Sequence, residues 1–535
     1  MPLPAVFWGM ESNTPSPYMM SELTFAASGE YETARLATAL AKVSVGGDLI
    51  RLVGDLGAGK STFARHYIQT LGHVGDVPSP TYTLVQTYAD TRFPLAHVDC
   101  YRMKDPEELN GLGLEAYRQH GILLVEWPEK GSALVADGQP DFLDYYINSI
   151  ENPGTLTLTF SAGETPLSRK IVLNASPSWQ RRFGLIAKMG MSFVDALLLR
   201  PVTEQGRNTF LDNLGLQGYT VEASDGDWSS RSYARVHLSD GTTKMLMDSP
   251  PPLEGVADYV AVADYFRGIG LRAAEIHGRN DVDGYLLTED FGNTQLWDLV
   301  KSGEAQTDWY KAAADGLVEQ CLNPAPEWAR KYSPKDWWVE VVRFVNWYLP
   351  YARGRSCTLE EYAQWQALWM PLYQKVMSQP QGLMMWDCQT PNMMVLGDEP
   401  KLENIGWIDI QDARVASVAQ DLALFLRNIR SPQDDLREAE ILDYISARLG
   451  CDRAALKLAV DICSLHHSCR IMGGLVRLHV RDGRNAPAVN YLSRVWEVAR
   501  QSYDCPELKE IVAFMQEWEV PGLSRLWKDT KGKAA

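Results

Sequence analysis

A glycine-rich segment between a strand and a helix constrains the N-terminal part of the chain more than any other feature. Residues 54–61 read GDLGAGKS and follow the apolar strand candidate DLIRLV at 48–53. The next residues, 62–71, have helical spacing. This order is typical of a P-loop, in which backbone N–H groups and a helix N-terminus bind phosphate. The alternative is a glycine-rich strand-to-helix turn with a chance lysine.

The P-loop pattern gives each residue of the motif a chemical role. Its glycines let the backbone approach phosphate oxygens, its lysine reaches the β- and γ-phosphates, and its serine hydroxyl binds Mg²⁺. We therefore expect a nucleoside triphosphate with Mg²⁺ to be bound by Gly54, Gly57, Gly59, Lys60, Ser61 and Thr62.

The 535 residues divide into segments of different character. Residues 1–22 are interpreted as a tail. Strand-like and helical patterns alternate over 23–165 and predict an α/β P-loop domain with a parallel-rich sheet. Residues 166–206 are interpreted as a connector with some helix. A small β-rich part (about 207–292) and a larger helical part (about 293–535) then predict a two-lobed, protein-kinase-like (α+β) phosphotransferase domain.

Composition excludes several classes of protein. No apolar stretch approaches the roughly 18 residues of a membrane span, and the first residues do not resemble a secretory signal. The eight cysteines form no CxxC pair and indicate reduced thiols. A net charge of −17 disfavours free-standing nucleic-acid or anionic-membrane binding. We expect a cytoplasmic protein with no membrane contact.

Three further segments carry polar residues beside strand candidates: SPTYTLVQTY at 79–88, HVDCYR at 97–102 and LVEWPEK at 124–130. Together with GDLGAGKST, they make residues 23–165 resemble the TsaE family of small bacterial ATPases. The resemblance implies ATP hydrolysis that supports the TsaB–TsaD complex, which forms threonylcarbamoyladenosine in tRNA. TsaD and TsaB are therefore expected as partners, and tRNA only indirectly.

The same resemblance implies roles for four side chains near the nucleotide: Thr81 as a γ-phosphate sensor, Asp99 near the metal or the attacking water, Glu126 as a water-mediated Mg²⁺ ligand, and Trp127 beside it. Physical reasoning agrees for Glu126, because an acid after an apolar strand lies at the carboxyl edge of a parallel sheet. The alternatives are a cap or turn role for Asp99 and a surface position for Glu126. His97 and Tyr101 could be loop supports only.

A second chemical motif lies in the helical part. Residues 386–394 read WDCQTPNMM and 406–413 read GWIDIQDA. They resemble the catalytic loop and the metal-binding segment of protein kinases and aminoglycoside phosphotransferases. The resemblance implies that Asp387 accepts the proton of a substrate hydroxyl and that Asn392 and Asp409 hold Mg²⁺. Individually, they could instead be a turn cap, a loop residue and a strand-end acid.

Residues 207–535 resemble the AmgK subgroup of sugar kinases, which phosphorylate the anomeric hydroxyl of N-acetylmuramate and N-acetylglucosamine in cell-wall recycling. The resemblance rests on DWSSRSYARV at 227–236, MDSPP at 247–251, YLLTEDFG at 285–292 and CRIMGGLVRL at 469–478. It implies that Ser230 and Arg231 lie over the ATP phosphates and that Glu289 begins the hinge that meets adenine.

Two departures from the kinase pattern leave three functions open. Met385 stands where His is usual in the catalytic loop, and Lys244 lies too early in its strand to be a clear partner of the α/β-phosphates. Both halves could be catalytic, or an active ATPase could be joined to a pseudokinase scaffold. Alternatively, the second half could phosphorylate another small hydroxyl compound, such as an aminoglycoside or a choline-like molecule, which an acidic pocket would favour.

Two further patterns are interpreted as structural. The DFG triplet at 290–292 precedes the catalytic loop of this chain, whereas the DFG metal motif of protein kinases comes after their catalytic loop. The triplet is therefore interpreted as part of the hinge. Cys463, His466, His467 and Cys469 lie in an apolar helical run, where packing is more frequent than metal binding.

Overall fold

A computed structural model describes residues 22–103, 105–109, 112–131, 153–163, 165, 167–188, 204–223, 231–249, 255–304, 307–430, 434–480 and 491–517. These residues form an N-terminal α/β unit on a seven-stranded sheet and a C-terminal unit with a five-stranded sheet and a helical lobe. The predicted fold class is thereby confirmed.

A mixed sheet forms the centre of the N-terminal unit. Its strands are Glu22–Ala27 (β1), Leu49–Val53 (β2), Val85–Tyr88 (β3), Leu95–Asp99 (β4), Ile122–Glu126 (β5), Thr155–Ala162 (β6) and Arg169–Ala175 (β7), in the order β1-β7-β6-β2-β5-β4-β3. β2 pairs in parallel with β5 and β6, and β4 with β5. All residues of β4 and β5 are buried, as expected for inner parallel strands. Parallel strands end at one edge, so Val53, Asp99 and Glu126 come together.

The α-helices among the described residues of this unit are Glu30–Val43 (α1), Lys60–Thr70 (α2), Leu114–His120 (α3) and Pro177–Lys188 (α4). α1 buries Leu36, Leu40 and Val43, whose spacing of four and three residues places them on one face. This face packs in the same core as α2. The burial of an apolar helix face is the main source of its stability.

Part of the predicted connector lies in the N-terminal unit. β7 pairs antiparallel with both β1 and β6. α4 is tied to the sheet because the fully buried Arg182 guanidinium donates to both carboxylate oxygens of Asp48, at 2.6 and 2.9 Å. We therefore propose that the N-terminal domain extends to Lys188. Residues 1–21 of the predicted tail and residues 189–203 lie outside the described residues, whereas Glu22, the last residue of the predicted tail, begins β1.

A small antiparallel sheet opens the C-terminal unit. Its strands are Thr220–Ala223 (β8), Ser232–His237 (β9), Thr243–Asp248 (β10), Ile276–Asn280 (β12) and Tyr285–Glu289 (β13), in the order β12-β13-β10-β9-β8; the short β11, Arg272–Ala273, pairs elsewhere. Helix Glu204–Asn213 (α5) covers one face, where Phe210 stacks on Tyr285 with ring centroids 5.3 Å apart. Helix Ala257–Gly268 (α6) follows β10.

The helical lobe contains Leu296–Ser302 (α7), Thr307–Leu322 (α8), Pro334–Arg343 (α9), Leu349–Arg353 (α10), Leu359–Met377 (α11), Val418–Leu426 (α12), Asp435–Leu449 (α13), Arg453–Val480 (α14), Leu492–Arg500 (α15) and Lys509–Glu517 (α16). α9 continues into a π-helical turn, Phe344–Tyr348. Trp337, Trp365 and Trp369 are fully buried and belong to the core of this lobe. None of the described helices is long and apolar enough to cross a bilayer.

Two small sheets bring the catalytic-loop segments together. Gln381–Met384 (β14) pairs with Arg414–Ser417 (β17), and Met393–Val395 (β15) pairs with Ile405–Trp407 (β16), both antiparallel. β11 joins β16 in parallel. Residues 385–392 link β14 to β15, and residues 408–413 link β16 to β17. Both loops thus run between the same two sheets: each leads from a strand of one sheet to a strand of the other. The two loops therefore lie side by side.

The two units contact each other through aromatic and cationic side chains. The Arg92 guanidinium lies 4.8 Å from the ring centroid of Trp347. The His120 ring stacks on Tyr362, with centroids 5.6 Å apart and planes 6° from parallel. Arg92 and His120 directly precede the β4 and β5 regions, so the C-terminal unit contacts the amino edge of the N-terminal sheet.

Candidate active sites

The P-loop joins β2 to α2 with a backbone that its glycines permit. Gly54, Gly57 and Gly59 have φ values of 140°, 75° and 106°, which other residues rarely adopt. A Cβ on Gly54 would lie 2.5 Å from the carbonyl oxygen of Phe160. One on Gly57 would meet nothing within 4 Å. The loop is therefore closely packed where it leaves the sheet and open at its middle, as a phosphate cradle requires.

Lys60 begins α2 and folds back onto the loop. Its Nζ donates to the carbonyl oxygens of Gly54, at 2.5 Å, and Asp55, at 2.9 Å. Together with Ser61 and Thr62 it forms the first helical turn, whose N–H groups have no acceptor within the helix. These N–H groups and the ammonium form a site for phosphate at the helix N-terminus.

Ser61, Glu126 and His97 meet at the carboxyl edge of the sheet. The Ser61 hydroxyl donates to Glu126 and lies 3.2 Å from both carboxylate oxygens. His97 Nε2 is 3.1 Å from Glu126 Oε1, and both side chains are almost fully buried. A hydroxyl and a carboxylate beside a phosphate loop fit Mg²⁺. His97 therefore contacts a predicted site residue directly, whereas the sequence left open whether it only supports the loop. Its position two residues before Asp99, on the same face of β4, could have indicated this contact.

Asp99 is held from two directions. Thr81 Oγ1 donates to Asp99 Oδ2 at 2.5 Å, and the Tyr101 N–H donates to Asp99 Oδ1 at 2.8 Å. Trp127, with a left-handed φ of 56°, follows β5. Its ring centroid lies 4.0 Å from Lys60 Nζ. All residues predicted for the N-terminal site thus lie at one edge of the sheet.

Asp387 lies at the centre of a hydrogen-bond network in the second site. Asn392 Nδ2 donates to the backbone oxygen of Asp387, at 2.9 Å, and to its Oδ2, at 3.1 Å. Gln389 Nε2 donates to Oδ1 at 2.9 Å and is itself oriented by Asn428, at 2.8 Å. Gln389 was not singled out from the sequence, although it lies inside the motif. The network fixes both oxygens of Asp387.

Asp409 lies on the neighbouring loop in a left-handed conformation, with φ 58°. Gln411 Nε2 donates to its Oδ1 at 2.6 Å, and the Ile408 N–H donates to the backbone oxygen of Asn392 at 3.1 Å. Burial, reinforced by the charge of Asp409, raises the pKa of Asp387 to about 6. The carboxyl groups of Asp387 and Asp409 and the amide oxygen of Asn392 are suitable ligands for a divalent cation. Such a cation would relieve the repulsion between the two carboxylates.

The backbone before Asp387 is held by Asp421 at the start of α12. Its carboxylate accepts the N–H groups of Met385, at 2.7 Å, and Trp386, at 3.0 Å. Met385, at the position where the kinase pattern has His, is fully buried. The conformation of the catalytic loop therefore depends on Asp421, and a histidine at 385 is not needed to hold it.

A cavity of about 310 Å³ lies beside this loop. Trp386 forms part of its wall, so the cavity adjoins Asp387. Its lining contains equal numbers of basic and acidic side chains: the four arginines Arg330, Arg343, Arg414 and Arg470, and the four acids Asp258, Asp336, Glu340 and Asp412. Burial raises the pKa of Asp336 to about 7. Near neutral pH the lining is therefore not acidic.

The residues predicted to contact ATP in the small lobe have different placements. Ser230 lies outside the described residues. Arg231, directly before β9, donates from Nε to Ser249 Oγ at 3.1 Å. Lys244 Nζ lies 2.8 Å from His277 Nε2 on the exposed side of the sheet. Lys244 is thus paired within the small lobe.

Glu289 ends β13 and is engaged within the protein. Its N–H donates to the backbone oxygen of Glu275 at 2.8 Å, and its carboxylate accepts Arg272 at 2.5 and 2.9 Å. The neighbouring Asp290 accepts Arg235 Nε at 2.6 Å. These bonds stabilise the connection between the lobes, and the amide of Glu289 itself is not open to a nucleotide.

The histidine and cysteine pattern of α14 forms part of the core. His466 Nε2 bonds to the carbonyl oxygen of Trp337 at 2.9 Å, and His467 Nε2 to that of Gln420 at 3.1 Å. Throughout the described ranges, no group of three or more His, Cys, Asp and Glu side chains could hold a metal ion. The structural interpretation of this pattern agrees with these contacts.

Comparison with known proteins assigns the two units to different families. Residues 27–152 match the family model "Threonylcarbamoyl adenosine biosynthesis protein TsaE". A TsaE protein of Haemophilus influenzae is 45% identical over 102 residues, which cover 18% of this chain and 63% of that protein, just under two thirds of its length. A Bacillus subtilis TsaE is 41% identical over 109 residues, covering 20% of this chain and 68% of the relative.

The C-terminal unit matches a second family. Residues 220–457 match the model "Phosphotransferase enzyme family". An N-acetylmuramate/N-acetylglucosamine kinase of Caulobacter vibrioides is 27% identical over 353 residues, which cover 59% of this chain and 96% of that protein. The chain therefore belongs to the TsaE family through its N-terminal part and carries a phosphotransferase-family enzyme domain behind it, so that one polypeptide joins two ATP-using types of domain.

Proposed function

We propose that the protein is bifunctional. Its N-terminal domain hydrolyses ATP in support of the TsaB–TsaD complex during threonylcarbamoyladenosine formation in tRNA. Its C-terminal domain transfers phosphate from ATP to the anomeric hydroxyl of N-acetylmuramate or N-acetylglucosamine. Both reactions belong in the cytoplasm. With a net charge of −17, contact with tRNA is expected through the partner proteins.

The contact between Ser61 and Glu126 beneath the P-loop is the main support for the ATPase. In this proposal Lys60 and the first turn of α2 bind the phosphates, and Ser61 and Glu126 hold Mg²⁺, which neutralises phosphate charge. Asp99 orients the attacking water, and Thr81, hydrogen-bonded to it, responds to the γ-phosphate. Each group lies at the edge where the P-loop places the triphosphate.

Replacement of the P-loop lysine tests the ATPase. Lys60→Ala removes the ammonium that compensates phosphate charge, and we expect ATP hydrolysis and support of tRNA modification to be lost. Lys42→Ala, at the exposed end of α1, is the matched control and should behave as wild type. Full tRNA modification in cells that carry only the Lys60→Ala chain would contradict the proposal.

The convergence of Asp387, Asn392 and Asp409 beside a cavity is the main support for the kinase. In this proposal Asp387 accepts the proton of the anomeric hydroxyl as its oxygen attacks the γ-phosphorus, and ADP leaves. Asn392 and Asp409 hold Mg²⁺, which neutralises charge on the transferring phosphoryl group. A pKa of about 6 leaves Asp387 mostly ionised at neutral pH and able to accept this proton.

The charge of the cavity favours an amino sugar over a polycation. An aminoglycoside or a choline-like substrate requires an acidic wall, whereas here four arginines offset four acids. Trp386 and the half-exposed Trp328 provide apolar faces on which a sugar ring can pack. The fixed oxygens of Asp387 also favour an active kinase over a pseudokinase scaffold.

Phosphate transfer from labelled ATP tests the kinase directly. The full chain should form sugar phosphate from N-acetylmuramate or N-acetylglucosamine, and Asp387→Ala should form none. Asp398→Ala, on an exposed loop, serves as control and should retain activity. No sugar phosphate at high enzyme concentration would leave the C-terminal unit as a scaffold, and product from aminoglycoside or choline alone would support the other substrate class.

A further inference from the structure

Two arginines of the cavity come from distant parts of the chain and approach one carboxylate. Arg414 lies on β17 and Arg470 on α14, and both are largely buried, with about one seventh of each side chain exposed. Their Nη1 atoms lie 3.6 and 3.8 Å from Glu340 Oε1. Arg414 Nη1 is also 3.6 Å from Asp336 Oδ1. One buried acid is thus shared between two guanidinium groups.

These distances are too long for hydrogen bonds, which join N and O at about 2.7–3.2 Å. Among the described residues, Arg414 donates one hydrogen bond, from Nε to the backbone oxygen of Asp412 at 3.3 Å. Within the described part of the chain, Arg470 has its ion pair with Glu340 and donates no hydrogen bond. Buried N–H groups are nearly always satisfied. The remaining Nη groups can therefore receive acceptors from a molecule in the cavity.

The position of Arg414 is fixed before anything binds. Its guanidinium lies 4.2 Å from the ring centroid of Trp386, the residue before Asp387. Arg470 lies close enough to Asp387 for its charge to lower the pKa of that carboxyl group, against the larger effect of burial. Arg414 therefore lies against the residue that precedes Asp387, and both arginines line the cavity beside it. A preorganised pair of guanidinium groups recognises a carboxylate through its planar, forked donors.

We propose that Arg414 and Arg470 bind a carboxylate on the sugar, so that the kinase half selects an acidic N-acetylated amino sugar, with a carboxylate-bearing ether such as that of N-acetylmuramate, over its neutral counterpart. The inference rests on the proposed kinase function. The other charged wall groups, Arg330, Arg343, Asp258 and Asp412, leave the balance of the cavity unchanged. The carboxylate of the sugar is then a further acid for the two guanidinium groups, beside Glu340 and Asp336.

The wild-type chain provides the first test. The KM values are compared for N-acetylmuramate, its methyl ester and N-acetylglucosamine. The ester removes the negative charge and adds only one methyl group, so we expect its KM to be at least about tenfold higher, the range of a lost charge-assisted hydrogen bond. Equal KM values for acid and ester overturn the inference. Absence of product from all three sugars overturns the proposed kinase function itself.

Substitution of Arg470 assigns the effect to the site. Arg470→Met should raise the KM for N-acetylmuramate by about tenfold and leave the ester and N-acetylglucosamine within about twofold. Arg453→Met, on the exposed start of the same helix, should change none of the three. An equal fall of kcat on all sugars would mean that Arg470 binds the transferring phosphate instead, and would overturn the carboxylate assignment. Thermal unfolding of each variant verifies its fold.

Discussion

Glu126 is held from two sides, and His97 supplies the side that the sequence motif does not describe. A carboxylate only accepts hydrogen bonds, so the 3.1 Å contact requires the hydrogen on His97 Nε2. Both groups are buried and Ser61 completes the set. We infer that His97 positions Glu126 and does not itself contact nucleotide.

Removal of this hydrogen bond should weaken Mg²⁺ binding more than it weakens the fold. We predict that His97→Phe lowers ATP hydrolysis by about 10- to 100-fold, the usual effect of losing a group that orients a metal ligand. The loss should shrink as Mg²⁺ is raised. His97→Gln, which can still donate, should retain more activity, and His237→Gln, at a partly exposed position on β9 of the C-terminal unit, serves as control. Wild-type hydrolysis by His97→Phe over the whole Mg²⁺ titration would contradict the positioning role.

The role of a single residue can be predicted from the sequence when it is encoded within a short motif. Lys60 and Asp387 are predictable because their neighbours in the chain place them. Gln411 is next to a predicted residue, yet its bond to Asp409 depends on the loop conformation. Arg470 is not predictable, because its partner Glu340 lies on another helix and no local spacing records that contact.

Helix α14 approaches α9 closely through one of two adjacent glycines. A Cβ on Gly473 would lie 2.2 Å from the backbone oxygen of Arg343, whereas a Cβ on Gly474 would meet nothing within 4 Å. The same added methyl group therefore has opposite consequences at neighbouring positions. The contact also matters for the cavity, because Arg343 lines it.

We predict that Gly473→Ala destabilises the C-terminal unit by about 1–3 kcal/mol, since the helices must move apart. Gly474→Ala should be neutral or stabilising by up to about 1 kcal/mol, because alanine favours helix over glycine. Chemical denaturation followed by tryptophan fluorescence measures both. Equal stability of the two variants would show that α9 and α14 are not in this close contact.

Helices and strands are predictable where the apolar residues recur with a helical or strand period and the element does not depend on pairing with a distant strand. The strand before the P-loop and the strands β9, β10 and β13 follow from their apolar patterns. β7 does not, because the region from 166 to 206 has no clear period and β7 becomes a strand by pairing with β1 from the start of the unit. The π-helical turn at Phe344–Tyr348 likewise depends on packing around it.

In the whole molecule, the two domains meet on the side of the sheet opposite the ATPase site. Arg92 and His120 contact the helical lobe at the amino edge, whereas Lys60 and Glu126 lie at the carboxyl edge. The Ser356 hydroxyl adds a hydrogen bond across the contact, 2.6 Å to the backbone oxygen of Ala89. The joint between the domains is therefore compatible with nucleotide binding by the N-terminal unit.

His120 makes this joint sensitive to pH. Burial lowers its pKa from 6.5 to about 4, and its Nδ1 has no hydrogen-bond partner among the residues that the structure describes. Its ring is stacked on Tyr362 and meets Trp338 edge-on, 5.7 Å between centroids. The folded chain therefore favours the neutral ring. Since the unfolded chain binds the proton first, the stabilisation is complete above pH 6.5 and is lost as the pH falls towards 4.

We predict that acidification through this window costs up to about 3 kcal/mol through His120 alone, at about 1.4 kcal/mol per pH unit where the unfolded residue is protonated and the folded one is not. The free energy of unfolding should be measured by denaturation from pH 7.5 to 5 for the wild type and for His120→Gln, which cannot be charged. Other buried histidines contribute equally to the pH dependence of stability in the wild type and in His120→Gln. The difference between the two slopes of unfolding free energy against pH therefore reports on His120. The variant should have the shallower slope, whereas parallel slopes would mean that His120 is not buried uncharged at the joint and that the domains do not meet there.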